Sequence, residues 1–168
     1  MIQSNSNAQE QLDIINDNDE AVGRAAKQEI FAKSLPHRIV HILIFNRKGE
    51  MLLQKRSGSC RFCPGFWSTS AAGHVQSGES YEAAAKRELK EELGLTAELH
   101  PAFKDRYPWN QSWMSLVTFT LISEGPFTID PEEVELARFF SMAAVKRMIE
   151  QNEKIHPELS YLVKKHYF

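Results

Sequence analysis

The sequence predicts an α/β (α+β) sandwich in which a mixed β-sheet is flanked by helices. Short apolar or alternating runs typical of strands recur along the chain, and helical segments lie between and after them. One of these helical segments has a clear start, a clear end and an apolar stripe at helical spacing. A chain of 168 residues can bury one sizeable core. We therefore expect a single domain over residues 10–168, preceded by a polar, disordered tail at residues 1–9.

The predicted strands are bounded by turn signals. The Asn- and Asp-rich residues 16–19 separate the first two strands, and residues 46–49, NRKG, predict a hairpin turn between the next two. The longest apolar runs, RIVHILIF and SLVTFTLIS, indicate buried strands. In chain order, we expect strands at residues 12–15, 21–25, 38–45, 51–55, 67–72, 96–100, 103–107, 115–123 and 134–140.

The main helix is predicted over residues 80–93. Ser80 is a suitable N-cap, and Gly94 is a suitable residue to end the helix. An apolar stripe at i, i+4 spacing indicates that one face packs on the sheet. That stripe consists of Ala85, Leu89 and Leu93. Further helices are expected at residues 25–33, 141–150 and 157–166.

Three carboxylates in this helix predict a metal site. Glu88 and Glu92 lie one turn apart, and Glu91 lies beside them. Like charges this close oppose the helix unless something neutralises them, and oxygen ligands favour a hard cation such as Mg²⁺ or Mn²⁺. The alternative is a solvated acidic face paired with Lys86 and Lys90. A metal in turn suggests a phosphate-bearing substrate.

The segment from residue 73 to residue 95 resembles a complete Nudix box. Its matched positions are Gly73, Glu79, Arg87, Glu88, Leu89, Glu91, Glu92, Gly94 and Leu95. The resemblance implies the Nudix fold and hydrolysis of nucleoside diphosphates linked to another group. It also implies that the Gly73 carbonyl joins the three glutamates as a metal ligand, and that Glu79 and Arg87 form a supporting pair between loop and helix.

The proposed reaction is attack of water on one phosphorus of a diphosphate. A carboxylate must accept the proton of that water, and Glu91 or Glu92 is the candidate. The later residues Glu133 and Glu135 are a second source of such a base. Cationic side chains on neighbouring strands are candidates for phosphate contacts, the alternative being solvated charges at strand edges. These side chains are Arg38, Lys55 and Arg56.

Other segments resemble the Nudix branch related to isopentenyl-diphosphate isomerase. They are HRIVH at 37–41, LLQKR at 52–56, PGFW at 64–67 and GHV at 73–75, with a similar lead-in at 12–17 and 22–24. In that branch, residues matching His37 and His74 bind a second metal, and hydrogen-bonded loop histidines are the alternative. Isomerase activity is disfavoured because Ala72 stands where the isomerase has its acid/base cysteine. A non-catalytic nucleotide-sensing module is also disfavoured, because such modules usually lose glutamates of the box.

Composition restricts the remaining possibilities. The formal net charge of −2 implies no broad affinity for nucleic acid. The sequence has no apolar run of transmembrane length and no signal-peptide core, and its two cysteines do not make a disulfide scaffold. We expect a cytoplasmic protein whose partner is a small-molecule diphosphate, and a homodimer is compatible with this kind of fold.

Overall fold

The computed structural model describes residues 10–168, where strands and helices follow the predicted mixed order. The expected tail at residues 1–9 lies outside the described residues. The strands are β1 Gln11–Ile15, β2 Ala21–Ala26, β3 His37–Phe45, β4 Met51–Arg56, β5 Trp67–Ser68, β6 Ala71–His74, β7 His100–Trp109, β8 Ser112–Ile122 and β9 Val134–Phe140. The helices are α1 Lys27–Lys33, α2 Tyr81–Leu93, α3 Met142–Glu150 and α4 Pro157–His166.

Seven strands form one mixed sheet. The central path runs β5-β4-β3-β8-β7, while β6 pairs with β3 and β9 pairs with β4. The β3–β8 pair is parallel from His37 opposite Met114 to Phe45 opposite Ile122, and the other pairs are antiparallel. β1 and β2 form a separate two-stranded hairpin. The predicted mixed sheet is therefore confirmed.

The central strand β3 buries both of its faces, as its continuous apolar run predicts. Alternate side chains point to opposite faces of a strand. Val40, Ile42 and Ile44 belong to the cluster that includes α2, whereas Leu43 packs with residues of α3 and α4. The sheet thus lies between α2 on one face and α3 with α4 on the other, which confirms the sandwich.

The single strand expected at residues 67–72 is wrong, because the chain there forms two short strands with different partners. β5 pairs with β4, and β6 pairs with β3. Ser70 lies between them, and its hydroxyl donates to the Leu52 carbonyl and accepts from the Ile44 amide. This side chain bridges β3 and β4 beyond their single paired position, Phe45 opposite Met51.

The strand expected at residues 96–100 is also wrong. Leu95, Ala97 and Leu99 alternate because they pack on the core around α2, and strand pairing starts only at His100, opposite Thr120. The other predicted elements are found within a few residues of their expected bounds. Among residues 10–168, no helix combines the length and the apolar character that crossing a membrane requires.

Candidate functional site

Helix α2 is held firmly at both ends and along one face. The Ser80 hydroxyl accepts a hydrogen bond from the Ala83 amide at 3.1 Å, and Gly94 ends the helix with a φ of 63°. That left-handed conformation favours glycine. The predicted stripe of Ala85, Leu89 and Leu93 is fully buried against the sheet. The carboxylates that α2 carries therefore start from a fixed backbone.

The three box glutamates on α2 differ in exposure. Glu88 and Glu92 are buried at 9% and 8% exposure, whereas 58% of the Glu91 side chain is exposed. Full burial of an unpaired carboxylate is costly, so carboxylates are seldom found inside a protein without a partner. A solvated acidic face, the alternative stated above, does not describe Glu88 and Glu92.

Gly73 lies directly against the Glu88 carboxylate. A Cβ atom placed on Gly73 would lie 2.0 Å from Glu88 Oε1 and 2.6 Å from Oε2. Any side chain at position 73 would therefore displace the carboxylate. Position 73 must be glycine because the Glu88 side chain approaches it so closely. The same contact brings the Gly73 backbone next to Glu88, which is a candidate metal ligand.

Arg87 connects the loop before α2 to the glutamates. Its Nε and Nη2 donate to the two Glu79 oxygens, each at 3.0 Å, in the bidentate geometry that favours arginine. Nη2 also donates to the His74 carbonyl at 3.0 Å. Nη1 donates to Glu88 and, at 3.3 Å, to Glu91. One guanidinium is thus shared among three carboxylates.

Burial controls the electrostatics of this face. It raises the pKa of Glu88 to about 7, against the opposing effect of the Arg87 charge. Burial also raises the pKa of Glu92, and the nearby charge of Glu88 raises it further. Both carboxylates would be favoured in their ionised form by an added positive charge.

Gln54 is a site residue that our sequence reasoning missed. Its side chain is buried on β4, and its Nε2 donates to Glu92 at 2.7 Å. Its Oε1 is buried without a hydrogen-bond partner in the described part of the chain. The available signal was one uncharged polar residue that follows the apolar run MLL in β4. Nothing in the linear pattern connects that residue to Glu92, which lies 38 positions later.

The donor set fits a hard divalent cation. Glu88, Glu91 and Glu92 offer carboxylate oxygens, which are the ligands that Mg²⁺ and Mn²⁺ prefer. Among residues 10–168, no three acidic, histidine or cysteine side chains are already arranged so that they could hold a metal ion. Arg87 Nη1 contacts both Glu88 and Glu91, so the glutamates would have to converge on an ion by side-chain rotation.

The three predicted phosphate-binding side chains have different surroundings. Lys55 donates to Glu135 at 2.9 Å on the surface. Arg56 donates to the Phe62 carbonyl at 2.9 Å, and its charge lowers the pKa of Glu92, in opposition to burial. The structure thus brings Arg56 near a box glutamate.

Arg38 has other partners. Its guanidinium donates to Asp19 at 2.7 Å and to Asp13 at 3.4 Å. A role for Arg38 in phosphate binding stays a prediction, and any phosphate would have to compete with these two aspartates.

His37 and His74 lie together, as the resemblance to the isomerase branch implies. Their ring centroids are 5.4 Å apart and stacked, and Phe31 and Trp109 pack at the ring edges. Burial lowers the pKa of both histidines. His37 Nε2 is buried without a partner among the described residues. Whether the pair binds a metal stays a prediction.

Known proteins are similar to this chain in sequence and in fold. The family model described as NUDIX domain matches residues 35–162. An uncharacterized Nudix hydrolase of Pseudomonas aeruginosa is 35% identical over 128 residues, which cover 74% of this chain and 75% of the relative. An uncharacterized Nudix hydrolase of Listeria monocytogenes is 32% identical over 149 residues, covering 87% of this chain and 88% of the relative.

Among solved structures, DR0079 from Deinococcus radiodurans has a TM-score of 0.83 and 25% identity over 95% of this chain and 100% of its own. The NUDIX domain of NrtR from Shewanella oneidensis, complexed with ADP ribose, has a TM-score of 0.61 and 17% identity, over 83% of this chain and 96% of its own.

Proposed function

This chain belongs to the Nudix family, and we propose that it is a metal-dependent enzyme that hydrolyses a diphosphate linkage in a nucleotide or a related nucleoside diphosphate derivative. The family match and the hydrolase relatives support a pyrophosphohydrolase. Nudix hydrolases generally use divalent metals such as Mg²⁺ or Mn²⁺. The nucleotide-sensing alternative has less support, because all the glutamates of the box are retained.

One observation carries the proposal most directly. The Glu88 carboxylate is lodged against Gly73, with Glu92 buried one turn further along α2. A purely structural helix would gain nothing from burying two like charges on adjacent turns. A bound cation would offset the cost of burying these two carboxylates, and it would also attract a phosphate-bearing substrate.

The residues of the chain divide the chemistry among them. Glu88, Glu91 and Glu92, with the Gly73 carbonyl, would hold the ion. A bound divalent ion would neutralise phosphate charge and polarise the bond to the leaving oxygen. The water oxygen forms a bond to phosphorus, and the bridging P–O bond breaks with its electron pair going to the leaving phosphate. The proton of the water passes to a carboxylate.

Glu91 and Glu92 are the candidates for that carboxylate. Arg87 and Glu79 would position the loop and the helix relative to each other, and the charge of Arg56, which lowers the pKa of Glu92, supports a role for it in phosphate binding. Conversion of each candidate to glutamine separates the roles. The general base, once replaced, loses kcat but keeps its Mn²⁺ affinity, whereas a pure ligand loses both.

The isomerase alternative has one structural feature in its favour, the paired His37 and His74. The residue before the Gly-His pair is Ala72, which cannot transfer a proton, and residues 107–123 contain no Asp or Glu. The chain therefore resembles the isomerase branch in several segments, but it lacks the residues that isomerase activity needs. A double-bond shift in isopentenyl diphosphate without phosphate release would support the isomerase instead.

A phosphate-release screen tests the proposal. The panel contains nucleoside di- and triphosphates, nucleotide sugars, dinucleotides and a prenyl diphosphate, each with Mg²⁺ and with Mn²⁺. Wild type is assayed beside Glu88→Gln and Glu92→Gln. Glu82→Gln is the matched control, because Glu82 is on the same helix but is exposed and paired with Lys86. Turnover that the two site variants retain at the wild-type level would overturn the proposal.

A further inference from the structure

The N-terminal hairpin β1–β2 lies outside the matched family domain, yet it contacts the loop that precedes α2. The family match starts at residue 35, and the hairpin ends at Ala26. The Ser77 amide donates to the Gln11 carbonyl at 2.8 Å, and Leu12 forms an isolated β-bridge with Gln76. The hairpin thus extends backbone pairing onto the loop of the box.

Asp13 makes the closest side-chain contacts between the hairpin and this loop. The Ser77 hydroxyl donates to Asp13 Oδ1 at 2.6 Å, and the Gly78 amide donates to Asp13 Oδ2 at 3.3 Å. The Asp13 side chain is only 14% exposed, and Arg38 lies beside it at 3.4 Å. Hydrogen bonds to a charged acceptor are stronger than neutral ones, particularly where water is excluded.

The loop transmits this contact to the glutamates of α2. The Gln76 amide donates to Glu79 Oε2 at 3.0 Å. Glu79 in turn receives both hydrogen bonds from Arg87, which also contacts Glu88. Hydrogen bonds on both sides of the short backbone segment 76–79 therefore connect the hairpin with the buried carboxylate that lies against Gly73.

The other end of the hairpin contacts the first turn of α2. Asp19, at the β1–β2 turn, accepts hydrogen bonds from the Tyr81 hydroxyl at 2.8 Å, from Arg38 at 2.7 Å and from Lys104 at 2.6 Å. Tyr81 is the first residue of α2. Both the loop and the start of the helix are thus held by aspartates of one hairpin.

We propose that the β1–β2 hairpin is a positioning element for the Nudix box, with Asp13 as the positioning residue that holds the loop 76–79 against α2. This inference rests on the proposed function for its catalytic consequence, but its structural part does not depend on turnover. Asp13 does not itself touch substrate in this assignment. It acts through the Gly78 amide, Glu79 and Arg87.

Amide hydrogen exchange of the full-length protein tests the structural part. In Asp13→Ala, exchange of the Gly78 amide is expected to be about 10-fold faster than in wild type, because its charge-assisted hydrogen bond to Asp13 is lost. Exchange of the Ser77 amide should also rise, because the loop that holds it against the Gln11 carbonyl is loosened. The matched control is Asp17→Ala, in the same hairpin, since the Asp17 side chain is 80% exposed and its one ion pair among residues 10–168 is with Arg106. Ser77→Ala removes one of the two side-chain contacts and should give an intermediate increase.

Mn²⁺ affinity and kinetics test the functional part. We expect Asp13→Ala to weaken Mn²⁺ binding and to lower kcat about 10-fold with KM changed less, as loss of an outer-shell partner of ligands does. Asp17→Ala should match wild type in Mn²⁺ affinity and in kcat. Wild-type loop protection together with wild-type Mn²⁺ affinity in Asp13→Ala would overturn the inference.

The same measurements separate this inference from the proposed function. Glu88→Gln should lower kcat about 1000-fold but keep loop protection. If no compound in the panel is hydrolysed, exchange and Mn²⁺ affinity still decide the role of Asp13. If Asp13→Ala does not fold, Ser77→Ala carries the test, and wild-type exchange and affinity in that variant would count against the inference.

Discussion

The carboxylates on the two faces of the central strand have pKa values shifted in opposite directions. On the face covered by α4, Glu158 accepts a hydrogen bond from His41 Nε2 at 2.9 Å. Burial alone would raise the pKa of Glu158, but the hydrogen bond and charge of His41 outweigh it and lower that pKa. On the face covered by α2, burial prevails and raises the pKa of Glu88 and Glu92.

The difference lies in the number of partners. His41 Nε2 lies 2.9 Å from Glu158, and Nδ1 lies 2.8 Å from the Thr69 hydroxyl, which donates its own proton to the Ala71 carbonyl. Glu158 therefore has a fully buried hydrogen-bond partner of its own. On the α2 face, Arg87 is shared by Glu79, Glu88 and Glu91. The α4 face thus pairs one carboxylate with one imidazole, whereas the α2 face gathers three carboxylates on one guanidinium and is suited to an incoming cation.

The largest effect that separates the faces is expected for Glu88→Gln. Loss of a ligand charge at the reacting centre should lower kcat about 1000-fold, by analogy with other removed transition-state contacts. At pH 4.5, where the raised pKa keeps Glu88 protonated, the free energy of unfolding should change by less than about 1 kcal/mol, because a neutral amide replaces a neutral carboxylic acid of similar shape. Steady-state kinetics and urea unfolding measure the two quantities.

The opposite pattern is expected for Glu158→Ala. Removal of this carboxylate leaves the buried His41 Nε2 without its hydrogen-bond partner, which should cost about 2 kcal/mol of unfolding free energy. Urea unfolding measures this loss, and Glu150→Ala, an exposed residue of the neighbouring helix, is the control. A loss below about 1 kcal/mol in Glu158→Ala would show that the pair does not stabilise the α4 face.

A pH titration sharpens the comparison. The pKa of Glu88 is raised in the folded protein, so its stabilising contribution is complete below pH 4.5 and is lost as the pH rises through about 7. In protein treated with EDTA, we expect wild type to lose on the order of 2 kcal/mol relative to Glu88→Gln over that range. His37 and His74, whose pKa values are lowered, contribute the opposite slope in both proteins and cancel in the difference.

Urea unfolding of both proteins across this pH range makes the measurement. Glu158 is the internal contrast, because its lowered pKa means that its contribution is lost only as the pH falls below about 4.5. Equal pH slopes for wild type and Glu88→Gln would contradict the raised pKa of Glu88.

Local patterns made most of the α2 face predictable. Ser80, the Ala85-Leu89-Leu93 stripe and Gly94 specify the helix within 15 residues, and the structure confirms each of them. The strand expected at residues 96–100 was wrong because alternation there reflects packing on the core and not pairing. An alternating sequence pattern therefore shows which side chains are buried more directly than it shows whether the segment pairs with another strand.

Contacts between distant segments could not be predicted. Asp13 meets Ser77 across 64 positions, and His41 meets Glu158 across 117. Nothing local distinguishes these residues from solvated charges or from core polar groups. The roles assigned to the box glutamates stay predictions until the variants are measured, although the structure brings their helix, Gly73 and Arg87 together.

The smallest effect is expected for Gln54→Leu, which tests how finely Glu92 is positioned. Leucine removes the donor to Glu92 and also the buried Oε1 that lacks a partner among the described residues. The two changes oppose each other in stability, so the free energy of unfolding should shift by less than about 1 kcal/mol. Activity should fall about 10-fold, because Glu92 loses the contact that orients it. Kinetics, Mn²⁺ affinity and urea unfolding of Gln54→Leu, compared with Glu92→Gln, give the answer. Wild-type kcat in Gln54→Leu would mean that α2 alone orients Glu92.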